Sequence, residues 1–311
     1  MIVKHSEQKN NVYTSQTING FSVKAYLNVT TFNNGDATLG CSKVDFSKCN
    51  FKVTLQRDGK DHVLVQDNLK VIGLASTLNT IQQQAFYAGT DHVVKLGNGK
   101  SIVAFNIPLG GFLRVKDTDK LIVEVTMQEG VFPDANYLQN SYIEFKTLKS
   151  IGYEQYIPFI RTQNIQQGNT SEQFSIGSNV LRTAFINYDK TDFQNNVIVN
   201  MSVSSDRYVE SLNYGDLINM KTASFSKLPS NLWGDAGAAF EADQSFLITD
   251  FTNQFNDLVL DVSFNGDQVA QSKNYLVWWS YKTDASIVQK AEQLASKHQD
   301  KLVADIAKAT V

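Results

Sequence analysis

Four segments of the first half of this chain return, in the same order, in the second half. AYLN at 25–28 returns as AFIN at 184–187, and FKVTLQRDGK at 51–60 as VIVNMSVSSD at 197–206. DKLIVEV at 119–125 returns as NDLVLDV at 256–262, and NSYIEF at 140–145 as KNYLVW at 273–278. The spacing between copies shrinks steadily along the chain, as expected of two like domains that keep their strands while the first carries longer loops. A repeat of this period constrains the fold more than any local motif. The chain's 311 residues are enough for two domains of about 150 residues each. Nineteen Phe and twelve Tyr supply large side chains suited to half-buried pleated surfaces.

The local patterns predict strands. Phe51, Val53 and Leu55 alternate with Lys52, Thr54 and Gln56, the period of a strand buried on one face. Asp58-Gly59 follows as a hairpin turn, with a return strand over 62–66. Further strands are predicted within 12–32 and near 92–96, 100–107, 111–116, 120–128 and 141–148. Gly97-Asn98-Gly99 and Gly110-Gly111 are read as turns. A helix is predicted over 76–88. The stretch 150–172, with Gly152, Pro158 and a polar series, reads as a connection. Strands near 173–177, 180–188, 196–203, 206–212, 245–250, 257–264 and 274–282 form the second half. YGDLINM at 214–220 is a short helical segment that matches NLKVIGL at 68–74. Short strands with frequent turn signals indicate sandwiches or barrels rather than βαβ units. The predicted division is 12–150, a connection over 151–172, a second domain over 173–283 and a terminal helix over 284–311. That helix has no Gly or Pro up to Ala309, and its apolar stripe includes Ile287, Leu294, Leu302 and Ile306, which marks a face for its own domain, a neighbouring subunit or a membrane surface.

Chemistry-bearing motifs are sparse. His5, His62, His92 and His298 have no metal-ligand spacing, and neither Cys41 nor Cys49 belongs to a CxxC pair. These two cysteines are read as reduced thiols or as a loop-closing disulfide. The Asn/Gly/Asp loops at 33–36 and 265–267 lack the run of carboxylates that holds calcium. No catalytic, cofactor or metal residue is assigned. The net charge of −3 and the lack of a Lys/Arg cluster argue against sequence-specific nucleic-acid binding. MIVKHSEQKN predicts no secretory signal, and no apolar run is long enough to span a bilayer. Trp278 and Trp279 are adjacent on a strand and must face opposite sides. One is expected in a core and the other at an interface between domains or subunits.

The tandem β-domains, an early short helix in each, the lack of a catalytic signature and the terminal helix resemble the double jelly-roll major capsid proteins of tailless icosahedral, membrane-containing bacteriophages. Corticoviruses, tectiviruses and the lipid-containing phages of flavobacteria belong to that group. The resemblance spans about residues 12–282 and rests on architecture. It implies an all-β fold of two tandem eight-stranded jelly-roll barrels, with short helices in loops and a C-terminal α-helix. It implies a non-enzymatic, cofactor-free virion protein, made in the host cytoplasm, that forms homotrimers with a pseudo-hexagonal outline. Neighbouring capsomers, minor capsid or vertex proteins and an internal membrane are the implied partners. Trp278, Trp279, Ile287, Leu294, Leu302 and Ile306 are the expected contact residues. Loops 33–49 and 229–244 would form towers or contacts between capsomers. Two further readings use the same β-architecture: a secreted glycan-active enzyme, and a carbohydrate-binding adhesin.

Overall fold

The structure is a computed structural model that describes residues 1–28, 44–78, 93–97, 100–132, 141–151, 156–187, 198–206, 208–217, 246–251, 256–266 and 274–283. In chain order the first half contains β1 (Ile2–Lys4), β2 (Gln8–Tyr13), β3 (Gln16–Asn28), β4 (Cys49–Arg57) and β5 (Lys60–Asn68). Helix α1 (Leu69–Thr77) follows, then β6 (Val93–Gly97), β7 (Lys100–Val115), β8 (Lys120–Met127) and β9 (Tyr142–Lys149). The second half contains β10 (Tyr156–Ile165), β11 (Ser171–Gly177), β12 (Val180–Asn187), β13 (Ile198–Ser205) and β14 (Tyr208–Asn213). One helical turn at 214–217 precedes β15 (Phe246–Asp250), β16 (Leu258–Phe264) and β17 (Asn274–Thr283).

These strands form four antiparallel sheets. The first half has sheets ordered β1-β9-β3-β7-β6 and β2-β8-β4-β5; the second has β10-β17-β12-β15 and β11-β16-β13-β14. Among the described residues, each strand of the first half apart from β6 has a counterpart at the same place in the second. The alternation in the sequence sets the faces. On β8, Leu121, Val123, Val125 and Met127 are buried, as are Leu258, Leu260, Val262 and Phe264 on β16, while residues between them turn outward. Aromatic contacts join the paired sheets. Phe51 meets Phe21 edge-on and stacks on Phe145, each with ring centres 5.5 Å apart. In the second half Phe185 contacts Phe174 and Phe264 at 6.3 and 6.4 Å.

The repeat is real, but two of its sequence alignments are out of register. Ala25 pairs with Ile143 on β9, and Phe185 pairs with Leu276 on β17. With NSYIEF and KNYLVW aligned, Ile143 matches Leu276, and Ala25 then answers Phe185 rather than Ala184. A one-residue slip inverts a strand's faces: Ala184 belongs to the apolar cluster of the first domain, whereas Phe185 lies in the second domain's own core. On β4, Val53 pairs with Val123, and Val203 on β13 pairs with Leu260. Val53 therefore answers Val203, four residues from the match made by sequence. A bulge at Val199 breaks the alternation there: Val199 is 51% exposed, while Ile198, Met201 and Val203 are buried.

Other expectations also change. The stretch 151–172 is not simply a connection, because it contains β10, which pairs with β17 over ten residues. Pro158 is compatible with pairing because β10 is an edge strand. The first domain begins before residue 12, since β1 and β2 belong to its two sheets. Gly110-Gly111 is not a turn between two strands; both residues lie within β7. There the register against β3 jumps from Leu113 opposite Ile18 to Pro108 opposite Gly20, which pushes a bulge outward. A helix lies over Leu69–Thr77, where NLKVIGL matches the helical YGDLINM segment; residues 79–88 of the predicted 76–88 helix lie outside the described residues. Asn68 caps it by accepting a hydrogen bond from the Val71 amide at 3.0 Å. Residues 79–92, 29–43 (with Cys41), 218–245 and the terminal segment 284–311 lie outside the described residues.

Candidate assembly surface

The two sandwiches meet along a surface built around α1. This helix is buried nearly all round, because one side lies on its own sandwich and the other approaches β12 of the second. Leu78 ends the helix, and its carbonyl accepts a hydrogen bond from Arg182 Nη1 on β12 at 2.6 Å. A cation at a helix C-terminus complements both the orphan carbonyl and the helix dipole. The same guanidinium forms a two-pronged ion pair with Asp250, directly opposite on β15. The Arg182 side chain is only 3% exposed, so these acceptors replace the water it loses.

Two further contacts fasten the ends of this surface. Tyr156, the first residue of β10, donates its hydroxyl to the Gly110 carbonyl at 2.7 Å. Its ring fills the space where a side chain at Gly111 would stand: a Cβ there would come within 2.8–3.0 Å of ring atoms. The bulge in β7 is thus the seat of the second domain's first strand. Further along β10, Thr162 Oγ1 donates to Asp67 Oδ2 on β5. Burial pushes the Asp67 carboxyl above its ordinary range, partly opposed by the hydrogen bonds from Thr162 and the Asn68 amide. Gln66, Asp67, Ile160, Arg161 and Thr162 line a shallow groove at this junction.

The tryptophans divide as their adjacency demands. Trp278 packs on the second domain's core. Trp279 is 4% exposed and joins the apolar cluster of the first domain, with Ile160, Ala184, Ile186, Ile248 and Val277. Trp279 therefore serves the contact between domains rather than an external partner, and neither ring forms an open platform for a sugar. Ile287, Leu294, Leu302 and Ile306 lie outside the described residues. The sequence reading missed Arg182, Asp67 and Tyr156. The available signals were an arginine within an otherwise apolar strand and the Asn cap ahead of LKVIGL.

Among the described residues, nothing covers the counterpart of this contact surface on the first domain. On the outer face of its β1-β9-β3-β7-β6 sheet, Tyr26 and Tyr142 stack with ring centres 4.7 Å apart. Tyr26 donates to Glu144 at 3.3 Å, and Lys146 pairs with Glu144 at 3.0 Å. Ile2 stands beside them, 44% exposed. Among the described residues, β14 is an edge strand of the second domain, with Val209 76% exposed. Among the described residues no group of three or more His, Cys, Asp or Glu converges as a metal site, and no helix is long and apolar enough to cross a membrane.

The same arrangement occurs in solved structures. A chain of the Sulfolobus turreted icosahedral virus particle aligns over 97% of this chain and 94% of its own length, with a TM-score of 0.53 and 11% identity. This chain is a double jelly roll. The STIV MCP, a major capsid protein, aligns with this double jelly roll over 91% of its length and 94% of the MCP, with a TM-score of 0.52 and 11% identity. VP54 of PBCV-1, fitted into a reconstruction of the virophage Sputnik, covers 90% of the double jelly roll with 91% of its own chain, at a TM-score of 0.50 and 8% identity. No family model matches the sequence, and no curated protein matches it. At such low identity, the fold is what the double jelly roll shares with these chains.

Proposed function

We propose that this protein is the major capsid protein of an icosahedral virus, a structural subunit without enzymatic activity. Three copies form a pseudo-hexameric capsomer, and capsomers tile a shell that encloses a membrane. The observation that carries this reading is the tandem placement of two topologically matched sandwiches, with the α1 side of the first meeting the β10-β17-β12-β15 face of the second. That contact joins two different surfaces. A heterologous contact between like units leaves one unmatched surface at each end, and it closes into a ring when the rotation permits. Fusing the units in pairs makes every second contact intramolecular, so a six-unit ring needs only three chains. The structural likeness to the STIV MCP supports this use of the fold.

The proposed shell partners are neighbouring capsomers and minor or vertex proteins. The apolar stripe of residues 284–311 provides a segment to bridge capsomers or to lie against the membrane. Size-exclusion chromatography with light scattering, followed by negative-stain imaging, tests the capsomer. The expected species is a trimer with a hexagonal outline. A chain that remains monomeric at high concentration would overturn the reading.

A further inference from the structure

We infer that the face around Ile2, Tyr26, Tyr142 and Glu144, uncovered among the described residues, receives β14 and the 214–217 turn of a second copy, with Ile2 lying over Ser211 of that copy. This inference rests on the capsomer reading above and specifies the surface that would build it.

Strand register, with the segments NSYIEF and KNYLVW aligned, sets the correspondence. Ile2 pairs with Glu144 on β9, and Thr162 pairs with Val277 on β17. With Ile143 matched to Leu276, Glu144 answers Val277 and Ile2 answers Thr162. On the opposite surface, Asn68 and Asn213 hold equivalent positions. Asn68 accepts from the Val71 amide at 3.0 Å, and Asn213 accepts from the Asp216 amide at 3.1 Å, in each case three residues along. The residues just before these caps are Asp67 and Leu212. Inside the chain, Asp67 accepts from Thr162, which also contacts the Gln66 carbonyl. Between chains, the same positions bring Ile2 over the exposed Ser211, beside Leu212, which is buried in the second domain's own core.

The contrast between the two acceptor faces follows from when each is covered. Ala184, Ile186 and Val277 are buried as the chain folds. Their counterparts Lys24, Tyr26 and Glu144 must remain soluble until another subunit arrives. Amphipathic tyrosines and a paired carboxylate meet that demand, whereas a bare aliphatic face would promote indiscriminate association.

The test uses the full chain with Cys41→Ser and the double variant Ile2→Cys/Ser211→Cys, treated with a short bismaleimide. Expected are covalent dimers and trimers on a denaturing gel, with no larger species. A mixture of the two single variants should give cross-linked pairs containing one of each. Ile2→Asp should weaken trimer formation by roughly tenfold, the scale of one interface anchor, while circular dichroism remains that of the folded chain. Trimers by light scattering that neither cross-link nor respond to Ile2→Asp would overturn this surface and leave the capsomer reading intact. A folded monomer would overturn both, and a cross-linked ladder extending beyond the trimer would overturn ring closure.

Discussion

Arg182 of the second jelly roll terminates the helix of the first, donating to the Leu78 carbonyl at 2.6 Å while paired with Asp250 on the adjacent strand. The helix end and the strand pair thus share one buried cation. The fold contains an internal comparison, Arg57 with Asp119 at 2.8 Å, both nearly fully buried. Asp250, by contrast, is 41% exposed and can regain water when its partner is removed. Arg182→Met should therefore cost roughly 2 kcal/mol and Arg57→Met roughly 3–5 kcal/mol, because the latter strands a buried carboxylate. Urea denaturation of the two variants checks the order. Arg182→Lys should recover only part of the loss, since an ammonium cannot reproduce the fork.

The Asp67 latch should give a distinct pH response. Its carboxyl titrates above the ordinary value because burial disfavours the charge. The folded state therefore holds the proton over a range where the unfolded chain has released it. By linkage, stability from this group is greatest below the unfolded pKa and falls as pH rises through the folded value. Asp67→Asn removes that loss. Its melting temperature should exceed that of the parent at pH 7, and the difference should shrink toward the ordinary carboxylate range. A difference that grows on acidification would contradict the assigned direction.

Gly111 and Tyr156 should behave as one unit. A methyl group at 111 would overlap the Tyr156 ring, so Gly111→Ala should destabilise by roughly 1–2 kcal/mol. The same substitution should cost less in a Tyr156→Ala background, where the obstructing ring is gone; a double-mutant cycle measures the coupling. Tyr156→Phe removes only the hydrogen bond to Gly110 and should cost about 1 kcal/mol.

Cys49 is a buried free thiol, and burial pushes its pKa up to about 12. Thiolate is the reactive form, so alkylation at pH 8 should await opening of the fold. Mass mapping after iodoacetamide treatment should find Cys49 modified on the order of a thousandfold more slowly in the native protein than in urea. Rapid labelling of the native protein would show that β4 opens locally.

Much of this fold was legible because strand burial leaves a two-residue period. LIVEV at 121–125 and LVLDV at 258–262 each identify an inward and an outward face without reference to any partner, and Asp58-Gly59 identifies its hairpin. Asp58 and Gly59 both take positive φ, 52° and 70°, as that turn requires. Gly110-Gly111 carries the same local signal, yet the chain continues along β3 in one strand. Whether a glycine pair turns or bulges depended on what lay opposite.

The amino-acid order by itself determined that this chain would form two β-rich halves with matching strands, because alternation and turn chemistry act within a few residues. Tertiary structure alone decided register and contact. Ala25 answers Phe185 because of pairing with β9 and β17, and Arg182 is a helix cap because Leu78, more than a hundred residues earlier, is brought to its side. Such relations depend on distances across sheets, for which a linear sequence carries no local period.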